Sequence, residues 1–328
     1  MRKKFIKQID KTYIDNLDIN LNDINRTRIK IDTGFHCNEK CTYCYYLDKV
    51  KDEHLDKSII FEQILKAHNF GFTEIEFSGG ESSLHPNFLD FIKFGTKLGL
   101  RCSTLSNGTM SEKLLRAANK AGLKEVMYSI HGFKQNHDKV TKLDGSYELI
   151  IKQLKTCQKL EMVQRINIVV HKDSIHELNS ILLEIQTLEE LYELYITQYN
   201  FLPINEWDNA SKIARHQQPY LKDNYEDLEH ALYYLESKDK DFNVRYLEYC
   251  KISERYWKYL VNHLDHYYDK WDWNPLFIHK EDILEREEYS PDAREIKNKL
   301  KAQRGSQYFK TKECTECEHM SYCDGFKN

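Results

Sequence analysis

Gly34-Phe-His-Cys37-Asn-Glu-Lys-Cys41-Thr-Tyr-Cys44 is the segment of this 328-residue chain with the clearest chemical capacity. Its C-x3-C-x2-C spacing supplies three thiolates to an iron–sulfur cube that has four corners, which leaves one iron open to a substrate or cofactor. Structural zinc competes for the same residues. That ion takes four ligands, usually in paired knuckles, and here the fourth would have to come from a distance. The triad therefore reads as three ligands of a [4Fe–4S] cluster.

Three further segments offer polar groups after apolar, strand-like runs. In Phe77-Ser78-Gly79-Gly80-Glu81 the glycines let the backbone approach a ligand and the carboxylate can meet an ammonium; a plain turn is the bland reading. Thr104-Leu105-Ser106-Asn107-Gly108-Thr109 and Ser129-Ile130-His131-Gly132 present short hydrogen-bonding side chains, suited either to a ligand or to closing a loop. Asn167 and the segment Gln198-Tyr-Asn-Phe-Leu-Pro203 belong to later strands, where a structural role competes equally with a ligand contact.

These segments need a scaffold that brings them to one end. Between Arg28 and Phe201, short apolar runs alternate with stretches of helical period, the pattern of βα units around a parallel sheet. The expected strands are Arg28 to Thr33, Glu74 to Ser78, Arg101 to Ser106, Glu125 to Ile130, Arg165 to Val170 and Leu194 to Tyr199. Helices are expected over Lys57 to Asn69, Pro86 to Leu98, Ser111 to Ala121, Ser146 to Leu160 and Ser174 to Leu188, with Gly122 ending the third. Every candidate motif then falls at the carboxyl end of a strand, where parallel α/β barrels place their chemistry. The architecture expected is a partial (β/α)6 barrel of TIM type. An N-terminal extension (1–27), the barrel (28–205) and a mainly helical region (206–328) divide the chain.

Composition sets the outer limits. A hydrophobic fraction of 41% suffices for a core, and 48 basic against 52 acidic residues give no positive field for a phosphate backbone, so nucleic acid is not the expected partner. No segment reads as a signal peptide or membrane span, so a cytoplasmic protein without a membrane partner is expected. Nine cysteines in that compartment read as metal ligands rather than disulfides. Cys102, within a strand, and Cys157, within a helix, read as core packing. The aromatic and histidine-rich segment from His263 to His279 reads chiefly as a packing face.

Taken in order, the cysteine triad, Gly-Gly-Glu, Ser106-Asn107 and Ser129 make residues 28 to about 203 resemble the radical S-adenosylmethionine (radical SAM) superfamily. The resemblance implies that the open iron chelates SAM and that reductive cleavage yields a 5′-deoxyadenosyl radical that abstracts hydrogen from substrate. It further implies cofactor contacts from Tyr43, Gly79, Gly80, Glu81, Ser106, Asn107, Ser129 and Asn167, and an electron donor of the reductase or flavodoxin type. His131 stands where relatives often have Asp. Near the C-terminus, Cys314-Thr-Glu-Cys317-Glu-His-Met-Ser-Tyr-Cys323 resembles the auxiliary-cluster extension called SPASM or, when shortened, twitch. That likeness implies one auxiliary [4Fe–4S] cluster held by Cys250, Cys314, Cys317 and Cys323, with structural zinc as the alternative.

The expected substrate is small, polar and carbohydrate-like, undergoing oxidation or epimerisation. Only 36 residues precede Cys37, too few for the winged leader-binding domain of many peptide-modifying members. Modification of a peptide or protein is the second reading. A noncatalytic zinc-stabilised scaffold is the third, and such a scaffold has no need of an open-iron triad followed by Gly-Gly-Glu.

Overall fold

Strand and helix alternate through the computed structural model, which describes residues 27–44, 53–204, 225–262, 308–309, 312–319, 323 and 325–327. The N-terminal extension up to residue 26 and the segment from His263 to His279 lie outside the described residues. The first six strands are β1 (Arg28–Asp32), β2 (Glu74–Ser78), β3 (Arg101–Ser106), β4 (Leu123–Ile130), β5 (Val163–Val170) and β6 (Ile196–Pro203). Between them run α1 (Lys57–Asn69), α2 (Phe88–Lys97), α3 (Glu112–Ala121), α4 (Gln135–Thr141), α5 (Ser146–Lys159) and α6 (Leu178–Tyr192). Local chemistry sets several of their ends. Asp56 and Ser111 cap α1 and α3 by accepting from the amides of Ser58 and Leu114, and Gly122 closes α3 in the left-handed region at φ 119°.

The region after Pro203 is not merely helical, as the sequence suggested. Following α7 (Glu226–Ser237), the chain returns to the sheet as β7 (Phe242–Arg245) and β8 (Leu260–Val261), both parallel to their neighbours. The sheet thus holds eight strands in the order β1 to β8 and runs past the division expected near residue 205. Among the described residues β1 and β8 do not pair, and the sheet of those residues is open between them. Four buried residues followed by a two-residue strand are too short to show a full periodic signal. A separate antiparallel pair, β9 (Tyr308–Phe309) with β10 (Phe326–Lys327), flanks the C-terminal cysteine segment.

Alternation along each strand separates two kinds of interior. Residues such as Ile29, Ile75, Phe77, Tyr128, Ile166, Tyr199, Phe201 and Val244 face the helices and form a continuous apolar core. Cys102 and Cys157 belong to it, with the Cys157 thiol 3.1 Å from the Tyr128 hydroxyl. Facing inward at the amino ends of the strands is a charged layer. The Arg28 guanidinium donates to Glu74 at 2.7 Å and to Glu125 at 3.0 Å, while Arg165 donates to Glu125 at 3.0 Å and to Gln198 at 3.0 Å. Burial opposes the charged form of Glu125, yet Arg28, Arg165 and Arg101 together hold its carboxyl below the usual range. The layer closes the floor of the barrel, and its partners are mutually dependent: deleting one member of such a buried network costs about 3–5 kcal/mol.

Candidate active site at the carboxyl end of the sheet

The cysteine loop leaves β1 and is laid over the loop after β2 by backbone contact. Gly80 N donates to Gly34 O at 2.8 Å and Glu81 N to His36 O at 2.8 Å. A Cβ on Gly79 would collide with Gly34 O, and one on Gly80 with His36 O. The two glycines therefore admit the cysteine loop itself, a role that their place in the sequence left undistinguished from close approach to a ligand. Further along, Lys40 N donates to Thr141 O and Thr42 N to Val140 O, each at 3.0 Å, so α4 secures the loop's other side.

Cys37, Cys41 and Cys44 are each partly exposed and close enough to disfavour one another's ionisation. Burial pushes the Cys37 thiol up to about 12 and Cys41 well above the ordinary thiol value, so both hold their protons until a cation is near. Glu39, which sequence reasoning passed over, lies between them: it is 7% exposed, takes a 3.5 Å bond from Cys41 Sγ, and is pushed by burial up to about 8.

Glu81 is buried and already engaged. Its carboxylate accepts from Ser83 Oγ at 2.6 Å, Ser83 N at 3.2 Å, Ser106 Oγ at 3.2 Å and Asn107 N at 2.8 Å. Burial raises its pKa despite these donors. Four donors fill a carboxylate's acceptor sites, so Glu81 chiefly ties the end of β3 to the loop after β2. Asn107 continues the chain of contacts, its amide nitrogen 3.8 Å from Cys37 Sγ and 3.0 Å from Asn38 Oδ1. Gly79, Gly80, Glu81, Ser106 and Asn107 thus converge around Cys37.

Tyr43 belongs to a second group. Its hydroxyl lies 3.0 Å from His131 Nδ1 and its ring centroid 5.4 Å from that of His171, with Val169 and Ile204 packed against it. His171 Nε2 donates to His131 O at 2.6 Å, which joins the ends of β4 and β5. Ser129 and Asn167 are paired across β4 and β5, and Asn167 Oδ1 accepts from Asn200 Nδ2. Only the fold reveals His171, because it matters through a neighbour on another strand.

At the C-terminal group, Cys323 packs against the core cluster and Cys250 lies close enough for the two thiols to disfavour each other's ionisation; burial pushes Cys250 up to about 11. His319 stacks on Tyr249 at 5.6 Å and meets Trp257 edge-on at 4.2 Å, seating the cysteine segment beside the turn that carries Cys250. Cys314 lies within a short 3-10 turn (Glu313–Glu316) that Cys317 ends, with Cys317 N donating to Cys314 O at 3.1 Å. Among the described residues, no three His, Cys, Asp or Glu side chains converge on a single metal-ion position. No helix among them is long and apolar enough to cross a membrane.

Residues 31–185 match the Radical SAM superfamily. Over 198 residues, 60% of this chain and 57% of the relative, the sequence is 26% identical to a probable GTP 3′,8-cyclase of Thermoplasma volcanium. Over 150 residues, 44% of this chain and 37% of the relative, it is 24% identical to the Fe-coproporphyrin III synthase of Methanosarcina barkeri. The chain therefore matches less than two thirds of either protein. In three dimensions it is similar to SuiB of Streptococcus suis bound to S-adenosylmethionine, with a TM-score of 0.62 at 17% identity over 91% of this chain and 72% of that one. It is also similar to anSMEcpe with bound AdoMet and the Cp18Cys peptide, with a TM-score of 0.55 at 15% identity over 91% and 88%. At these identities what is shared is the fold, a parallel α/β half-barrel.

Proposed function

We propose that this chain, which carries a radical SAM domain at residues 31–185, binds a [4Fe–4S] cluster and S-adenosylmethionine at the carboxyl end of its sheet and uses them to take hydrogen from a polar substrate. The observation that carries the reading is the trio Cys37, Cys41 and Cys44, mutually close in a loop anchored on Gly79 and Gly80. Three thiols and no fourth cysteine in the loop suit a cube with one open iron. When bound, the cluster and SAM together supply a carbon-centred radical that abstracts hydrogen.

The chain's own residues prepare the place. Binding as thiolates requires the three cysteines to lose their protons on loading, a loss that burial opposes at Cys37 and Cys41. Glu81 and Ser106 hold the ends of β2 and β3 in register beside Cys37, and Glu81 would meet an ammonium only by exchanging one of its present donors. Asn107, Ser129 and Asn167 offer amide and hydroxyl groups for the polar parts of SAM. Tyr43, fixed by His131 and backed by Val169 and Ile204, forms a wall on the β4 to β6 side. Cys250, Cys314, Cys317 and Cys323 are assigned to a second cluster, a reading supported by the closeness of Cys250 to Cys323 and the docking of His319. The electron comes from a separate donor of the reductase or flavodoxin type.

By their names, the relatives act on a nucleotide and a porphyrin, and one structural neighbour holds a peptide. The narrower expectation of a sugar-like substrate gains no support from them, so the substrate is stated as a polar molecule, small or peptidic. Anaerobically reconstituted and reduced protein should release 5′-deoxyadenosine from SAM. Changing Cys37, Cys41 and Cys44 to Ala should abolish that release; persistence at the original rate would refute the assignment of the triad.

A further inference from the structure

We infer that Asn200 and Asn243, deep inside the half-barrel, form a recognition site for an amide-type edge of the substrate, a neutral group with an N–H donor fixed beside a carbonyl acceptor. The inference rests on the proposed function in placing the substrate within the barrel.

Strand register sets the two residues side by side. Asn167 pairs with Asn200 across β5 and β6, and Asn200 with Asn243 across β6 and β7, extending a polar row that begins at Ser129. Their strand neighbours Tyr199, Phe201, Phe242 and Val244 belong to the apolar core under the helices. Asn200 and Asn243 therefore face the barrel interior. Both are buried, at 0% and 2% exposed.

Their hydrogen-bonding capacity is unfilled. Asn200 spends its amide nitrogen on Asn167 Oδ1, which orients the group and leaves its oxygen without a donor. Among the described residues, Asn243 has no partner for either its nitrogen or its oxygen. Such groups are uncommon in folded proteins, because each forfeits the bonds that it made to water in the unfolded chain. An orphaned acceptor beside an orphaned carboxamide is best satisfied by a ligand that donates to Asn200 Oδ1 and accepts from Asn243 Nδ2. Adjacent strands stand about 4.8 Å apart, close enough for one planar edge to reach both.

The pair itself favours a neutral edge, with the buried Arg245, two residues beyond Asn243 on the same face of β7, as the positive charge alongside it. A carboxylate or phosphate would oppose the Asn200 oxygen, and an ammonium would leave the Asn243 N–H groups unused. Below the row, the carboxylates of Glu76 and Glu125 are already committed to Arg28 and Arg165. Planar donor–acceptor edges occur in peptide bonds and in lactam nucleobases, and these two sources share the chemistry that the row would read.

Melting curves of the reconstituted wild-type protein with N-acetylglycine N-methylamide, with guanosine and with myo-inositol test the inference. At least one of the two amide-bearing probes should raise the melting temperature, and which one does so identifies the source; myo-inositol should not. Asn243→Leu should abolish that shift while leaving the probe-free melting temperature equal to or above that of wild type, because it removes an unsatisfied polar group. Should the larger side chain prevent folding, Asn243→Ala should abolish the shift and melt within roughly 2 °C of wild type. The inference is overturned if neither amide probe shifts the wild type, if myo-inositol shifts it equally, or if both variants melt well below it. Release of 5′-deoxyadenosine by the wild type, measured separately, reports on the underlying function, so that the two can fail independently.

Discussion

His137 is 1% exposed, its Nδ1 accepts from the His131 amide at 3.1 Å, and burial lowers its pKa to about 4. In the unfolded chain the same imidazole titrates near 6.5. Between these values the unfolded state binds the extra proton, so the contribution of His137 to stability is complete above pH 6.5 and is lost as pH falls toward 4. The full loss is roughly 3 kcal/mol. Urea unfolding at pH 7 and pH 5 should show lower stability at the acid value, and His137→Gln should reduce the difference by its share, leaving that of His131 and His171, whose pKa values burial also lowers; an unchanged difference in the variant would show that His137 contributes nothing. Legibility at this scale followed covalent spacing. Cys37, Cys41 and Cys44 announce themselves within eight residues of sequence, whereas His171 and Asn243 acquire meaning only from neighbours on adjacent strands, which no local pattern encodes.

The loops at strand ends, to which the proposed chemistry is assigned, are held in place by backbone contacts. Gly80 sits against His36 O so closely that a methyl group must displace the cysteine loop, since backbone cannot give way as a flexible side chain does. Gly80→Ala should therefore lower stability by about 1–3 kcal/mol and reduce iron uptake on reconstitution, checked by denaturant midpoint and iron analysis. Normal stability with full iron content would show that the loop tolerates the shift. The expected and observed spans of α1, β2 and β3 coincide, because apolar period, capping side chains and length agree in each. α4 escaped notice: Gln135–Thr141 is polar, only seven residues long and entered through Lys134 at φ 47°, so neither period nor cap marks it. β7 and β8 are short and buried, and β7 is punctuated by Asn243 and Arg245, so neither carries a full period.

Across the whole molecule, the charged layer around Arg28, Glu125 and Arg165 seals the amino end of the barrel and leaves the carboxyl end as the place for chemistry. The C-terminal cysteines reach that assembly through the contact of His319 with Tyr249 and Trp257, which sets Cys323 beside the turn of Cys250. Two separate clusters should follow: Cys314→Ala combined with Cys317→Ala should lower iron content by one cube while SAM cleavage persists in part, and an unchanged iron content would contradict the second cluster. The sheet and its active end were legible from alternating βα periods. The seating of the C-terminal segment was not, because it depends on aromatic contacts between residues far apart in sequence. The most direct measurement of the central claim is the electron paramagnetic resonance spectrum of the anaerobically reduced protein, recorded with and without SAM. The account predicts a [4Fe–4S] signal that shifts on addition of SAM and a shift that disappears when Cys37, Cys41 and Cys44 are changed to Ala. A cluster signal indifferent to SAM, or a protein that takes up zinc alone, would contradict it.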